Sequence, residues 1–550
     1  MFAALSLLAL PTFLACDLGG GDDPLAQVDR EYSAIVHDLA IADRDNTRNR
    51  NNKEARREKV KKEQERVAFF NNTRVIASIE EARGSSDPAV AAKGESYWRH
   101  AVYIRSWTQD EKALETDLLA KIEDVRSREA SWSGADGEEI SIKGRWNQVS
   151  EGADELSEEA REDYGAVWLE NRQQWLGDDL SKLIKLRNEV AHREDFANYW
   201  EMSLYHHGLD PAQVNTFLDE VQSIVVPANA AAAEKIAAAA KANKLKDSFA
   251  NSELLRREAG LILDEREAEI WFDTDNAEEV ISRSLRDMGF DTSGIQVYTG
   301  PSRYTRSGAY SFAIEPPQYL AVVVSVDHRN NIWPYRALAH EMGRALWWRH
   351  LPETHHSSPM LWEPPAAYLE GFGQFFERTI SEPKFASLYL RDMPEEMRDQ
   401  IAKAQVQSTL NTLTWYLGST RIERQMYENP GDWAALTQSA ATLEKVIRGW
   451  RWDAPSDSEG RAYSSYLESG IMLNYPGYVQ NFLYQQAVSA TLFDATSKAV
   501  GEPVGNTKVA GWLTTELINK VGPTMTFEQR LGELSGGEAP TAALKRYLQQ

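Results

Sequence analysis

The chain has 550 residues, with 60 Lys and Arg against 83 Asp and Glu, for a formal net charge of −23. That balance argues against a nucleic-acid partner and against docking on an anionic lipid surface, since both need a surplus of positive charge. With 42% hydrophobic and 10% aromatic residues it can bury a substantial core, and its single cysteine excludes an intramolecular disulfide.

At the N-terminus, Ala3 to Ala15 is an apolar run too short to span a bilayer, and it ends in Phe13-Leu14-Ala15-Cys16 followed by Asp17-Leu18-Gly19-Gly20-Gly21. This resembles a bacterial lipoprotein signal. It implies a signal peptide at 1–15, a lipid-bearing Cys16, an anchor linker over 16–25, and a place on the cell envelope with the membrane as a partner. The alternative is an ordinary cleaved secretory signal with Cys16 incidental.

Residues 26–70 and 88–130 read as long amphipathic helices. Within them Arg44 to Arg66 is dense in Lys, Arg and Asn with interspersed Glu, the composition of a solvated helix face. Ser131 to Gly152 is a polar connection with a short strand at Glu139-Ile140-Ser141-Ile142, and Pro227 to Leu245 is an alanine-rich helix former. Strands are expected at 296–328, with a hairpin turn at Ser302 to Gly308. After Pro334 the pattern is helical to the end, interrupted at Pro352 to Pro365, Pro430, Asp453 to Gly460 and Ser535 to Pro540.

The helix after Pro334 carries His340-Glu341-Met342-Gly343-Arg344. In H-E-x-x-H two histidines four apart share a helix face and hold one zinc ion, while the glutamate acts as general base on the zinc-bound water. Arg344 stands where the second histidine belongs. A guanidinium has no lone pair to donate and repels a divalent cation. Further on, Tyr368-Leu369-Glu370-Gly371-Phe372-Gly373-Gln374-Phe375-Phe376-Glu377 forms a second helical segment, with Glu370 spaced to supply a third ligand. His350 points away from the His340 face, and His355-His356 fall in a polar loop.

On these residues the chain resembles the gluzincins, the helical zinc peptidases that include angiotensin-converting enzyme, thimet-type oligopeptidases and their bacterial relatives. Arg187-Asn188-Glu189-Val190-Ala191, Asp195-Phe196-Ala197-Asn198-Tyr199-Trp200, Met426-Tyr427-Glu428-Asn429-Pro430 and Tyr475-Pro476-Gly477-Tyr478-Val479-Gln480-Asn481-Phe482 are similar to further family segments. Tyr319 to Val326 resembles the substrate-pairing edge strand. The resemblance implies a mainly α fold, a large helical ellipsoid with a deep central channel, a small β-element and lid helices over 26–130, all in one domain spanning 26–550. It also implies His340 and Glu370 as zinc ligands, Glu341 as general base and Tyr478 as oxyanion stabiliser.

Departures from the family accumulate around that site. Gln374 occupies the place of an aspartate that orients the second histidine, Asn481 falls on a second tyrosine position, and Leu467 to Tyr475 holds no histidine. The reading is a catalytically impaired homologue that binds peptides or an envelope protein, with metal absent or weakly held and Arg344 pairing with one or both of Glu341 and Glu370 through bidentate bonds. Two alternatives stay open. One is an active zinc oligopeptidase or dipeptidyl carboxypeptidase with a substitute second ligand; the other is an envelope scaffold with a vestigial cleft.

Overall fold

The computed structural model describes residues 23–127, 131–133, 139–141, 178–244, 256, 258–261, 270–326, 331–362, 364–448, 470–522 and 524–549. The expectations for the signal, Cys16 and the break at Asp453 to Gly460 lie outside these residues, as does the 142–177 stretch ahead of the Arg187 segment.

The chain begins with five helices: α1 (Ala26–Arg48), α2 (Lys53–Phe70), α3 (Thr73–Arg83), α4 (Pro88–Arg105) and α5 (Gln109–Ser127). The two long helices expected here are each broken, by local capping. Asn52 accepts from the backbone N–H groups of Glu54 and Ala55 to start α2. Thr108 and Glu111 bond each other's backbone N–H reciprocally ahead of α5. A small hairpin, β1 (Ser131–Ser133) with β2 (Glu139–Ser141), matches the expected short strand and adds a partner to it.

Next come α6 (Asp178–Arg193), α7 (Tyr199–His206), α8 (Pro211–Ala242) and α9 (Ala277–Asp287). Helix α8 absorbs the alanine-rich segment as far as Ala242 and continues past Pro227, which removes one backbone donor from a 32-residue helix.

Three strands follow: β3 (Ile295–Gly300), β4 (Ala309–Glu315) and β5 (Tyr319–Ser325), in the spatial order β3-β5-β4. Strand β5 therefore sits in the middle, parallel to β3 and antiparallel to β4. This corrects two expectations. Tyr319 to Val326 is not an edge strand, and its unbroken run Leu320-Ala321-Val322-Val323-Val324, buried throughout, is what a strand covered on both faces requires. Ser302 to Gly308 is not a hairpin turn either, because it joins two strands that do not pair; the tight turn lies at Pro316 to Gln318, between β4 and β5.

The remaining helices are α10 (Trp333–Arg349), α11 (Pro359–Trp362), α12 (Ala366–Thr379), α13 (Pro383–Tyr389), α14 (Glu395–Glu428), α15 (Trp433–Arg448), α16 (Gly470–Asn474), α17 (Val479–Val500), α18 (Lys508–Leu513), α19 (Phe527–Leu534) and α20 (Pro540–Leu548). The fold is thus mainly helical with one small sheet beside the motif helix, as expected. One core gathers Val322 and Val324 of β5, Leu338 and Met342 of α10, and Phe372, Phe375 and Phe376 of α12. A second lies among α6, α7, α8, α14 and α17, and a third among α1 to α4.

Segments far apart in sequence are tied together by Arg187, which is 1% exposed. Its Nε donates to Glu115 on α5 at 2.8 Å, Nη1 to the Tyr427 hydroxyl on α14 at 3.1 Å, and Nη2 to the Leu473 carbonyl on α16 at 2.7 Å. Beside it Asn188 donates to the Tyr427 carbonyl at 2.7 Å and accepts from the Tyr199 N–H at 3.0 Å. Each of its three nitrogens finds an acceptor, and the Glu115 carboxylate balances its charge, which makes this burial tolerable.

Candidate functional site

The site forms where α10 crosses α12, and two glycines set how close that crossing is. A Cβ on Gly343 would fall 2.3 Å from the Phe376 ring, and one on Gly373 would fall 2.8 Å from Arg344 Cγ and 2.9 Å from the His340 carbonyl. Glycine at both places lets the two backbones approach until side chains from one helix reach those of the other. His340, Glu341 and Glu370 are 9%, 6% and 7% exposed at this junction.

His340 is held on both sides. Its Nε2 lies 3.0 Å from Glu370 Oε2 and its Nδ1 lies 3.1 Å from Glu377 Oε2. Burial works against a charged imidazole, but the hydrogen bonds of Glu370 and Glu377, with the charges of Glu341 and Glu370, outweigh it and raise the His340 pKa to about 10. The ring is therefore an imidazolium that donates from both nitrogens. Burial likewise opposes ionisation of Glu370, and the charge of Arg344, the His340 bond and the Tyr478 bond overcome it, pulling that carboxyl down to about 2.

Arg344 stands between the carboxylates. Its Nη1 is 3.3 Å from Glu341 Oε2 and 3.4 Å from Glu370 Oε1, so it pairs with both residues as the sequence suggests, though through one nitrogen and not through the planar fork. Ser311 of β4 donates to Glu341 Oε2 at 2.6 Å, and the Tyr478 hydroxyl at the head of α17 donates to Glu370 Oε1 at 2.9 Å. Burial and the Glu370 charge push the Tyr478 hydroxyl well above its ordinary pKa, so it stays a donor.

The fold thus brings His340, Glu341, Arg344, Glu370 and Tyr478 together. Gln374 turns away to α17, where its carbonyl oxygen accepts from Gln485 Nε2 at 2.6 Å. His350 packs on Phe290, and His356 bonds the Leu351 carbonyl, so neither reaches His340. Sequence reasoning missed two members. Glu377 was visible two turns beyond Glu370 on the same helix face, whereas nothing local marks Ser311, which arrives from another element.

These residues do not fit a catalytic zinc. The donor set has one imidazole and one carboxylate, with a guanidinium where a further ligand would stand. Among the described residues no group of three His, Cys, Asp or Glu is arranged to hold a metal ion. What the arrangement supplies is two organic cations, imidazolium and guanidinium, carrying together the charge of one zinc ion among three acidic side chains.

No protein-family model matches the sequence. No curated protein matches it either. Solved structures do. The chain is similar to the M32 carboxypeptidase of Deinococcus radiodurans R1, with 15% identity, a TM-score of 0.63, and coverage of 96% of this chain and 97% of that one. PZ peptidase A matches at 14% identity and a TM-score of 0.68, over 96% and 92% of the two chains. A carboxypeptidase of Pyrococcus furiosus matches at 13% identity and a TM-score of 0.67, over 97% and 99%. At such low identity the likeness defines the class by fold alone: this is a metallopeptidase fold, shared along nearly its whole length.

Proposed function

We propose that this chain is a gluzincin-type pseudopeptidase that binds peptides or an envelope protein without hydrolysing them. The observation that carries the reading is Arg344 Nη1, within 3.4 Å of both Glu341 and Glu370 at the second-ligand position. Hydrolysis in this class needs a Lewis acid and a free general base. Here Glu341 Oε2 already accepts from Ser311 and Arg344, and a guanidinium occupies the place of the second ligand. Glu377 does not serve as a substitute ligand in this reading, because it bonds Nδ1 while Glu370 bonds Nε2, on opposite edges of the ring.

Peptide binding by strand addition rests on β4, the sheet edge nearest the site. The Ser325 N–H bonds the Gly308 carbonyl, and antiparallel pairs alternate, so Ala309, Ser311 and Ala313 turn their backbone groups away from β5. We propose in addition that the chain is held on the bacterial envelope through Cys16. No helix among the described residues is long and apolar enough to cross a membrane.

Zinc content tests the proposal. The protein from residue 17 onward, equilibrated with zinc and examined by native mass spectrometry, is expected to carry no stoichiometric metal, while Arg344→His gains it. Near-stoichiometric zinc in the unaltered chain would overturn the reading and make peptide hydrolysis the next assay.

A further inference from the structure

Behind the turn that delivers Tyr478 lies a group of buried oxygens with no use in the site. Glu423 of α14 is 0% exposed; its Oε1 accepts from the Gly477 N–H at 2.7 Å, while its Oε2 has no hydrogen-bond partner among the described residues. Gln480 donates through Nε2 to the Gly477 carbonyl, and its Oε1 is likewise unpartnered. Ser203 of α7 presses on Gly477 from the other side, since a Cβ on that glycine would lie 2.4 Å from Ser203 Cβ and 3.4 Å from its Oγ. Ser419 and Thr420 sit one turn before Glu423 on the same helix face. All five side chains are 0% exposed, and the hydroxyls of Ser203, Ser419 and Thr420 have no partner among the described residues.

Five unpartnered buried oxygens on three elements that meet at Gly477 require an explanation, because each such group forfeits roughly 1–3 kcal/mol unless a water or a ligand satisfies it. The chemistry of the set narrows the ligand. All five are hard oxygen donors, four neutral and one a carboxylate. A divalent ion would leave an uncompensated buried charge here, whereas one positive charge balances Glu423. We infer that Ser203, Ser419, Thr420, Glu423 and Gln480 form a binding site for a monovalent alkali cation beneath Gly477.

Binding exchanges one charge for another: the cation enters as the Glu423 proton leaves to solvent. Burial raises this carboxyl to about 8, against the Gly477 N–H and the charge of Arg187. The groups facing it are Tyr427 on its own helix and Arg187 from α6, and Arg187 is already partnered by Glu115 of α5. Because Gly477 immediately precedes Tyr478, occupancy would also stiffen the turn that holds Tyr478 against Glu370.

Thermal unfolding of the purified protein in sodium, potassium and choline chloride at equal ionic strength tests the inference. At pH 8.5 we expect sodium or potassium to raise Tm by at least about 2 °C over choline. The gain should shrink at pH 6.5, where the proton competes, and vanish in Glu423→Gln. Should that variant fail to fold, Ser419→Ala carries the test, with the cation midpoint expected to weaken roughly tenfold. Equal Tm in all three salts at both pH values would mean that water alone satisfies these oxygens, and an unchanged midpoint in Ser419→Ala would equally overturn the site.

Discussion

Arg344 behaves as a structural cation. Its side chain is 21% exposed, between carboxylates 7% and 9% exposed, so removing the guanidinium leaves two like charges facing each other with little water between them. Arg344→Met is expected to cost about 3 kcal/mol in urea unfolding, and adding Glu341→Gln should recover part of it. Glu423 predicts a pH effect of definite sign. Its folded pKa of about 8 exceeds the ordinary value of 4.5, so the folded chain keeps a proton that the unfolded chain releases. Stability attributable to this group therefore falls as pH rises from 4.5 to 8, on the order of 1.4 kcal/mol per unit. Urea titrations in choline chloride should show that slope, and Glu423→Gln should flatten it. At this scale the sequence was informative where chemistry is local. Arg344 at the ligand position and Glu370 two dozen residues on could both be read directly, whereas the Ser311 and Tyr478 bonds depend on where other elements pack.

Between elements, the decisive contact is the crossing of α10 and α12. Adding a methyl group at Gly343 forces the Phe376 ring aside, and Gly343→Ala is expected to destabilise by about 1–3 kcal/mol, seen as a lower urea midpoint with an unchanged m-value. Both helices were legible from their period and from Pro334 and the Pro364-Pro365 pair before them. The sheet was legible only as a set of strands. Its order depends on a long crossover, and the loop at Ser302 to Gly308, rich in turn residues, imitates a hairpin connection. The apolar continuity of Leu320 to Val324 was the available sign that β5 lies in the centre. Breaks between α1 and α2 and between α4 and α5 were hidden for another reason: single capping side chains made them, without any change in composition.

For the molecule as a whole, the proposed peptide binding uses β4, the strand whose Ser311 reaches the charge-filled junction. Hydrogen exchange followed by mass spectrometry, with and without a bound peptide, should slow fragments covering Ala309 to Ala313 while leaving those of β5 unchanged; protection spread evenly over the sheet, or absent from β4, would sink strand addition. The similarity over 96% of the chain at 15% identity has a physical basis in the same observations. A fold held by buried packing tolerates change at its many surface positions.

The glycine crossing carries one more consequence. A zinc ion held by His340 and Glu370 would be bonded to side chains of both helices and could be taken for the rivet between them. Here the backbones meet through Gly343 and Gly373, and aromatic rings of α12 close around the joint. Architecture and charge chemistry are therefore separable at this junction: the crossing depends on two glycines and ring packing, and the charged side chains can be exchanged without moving it.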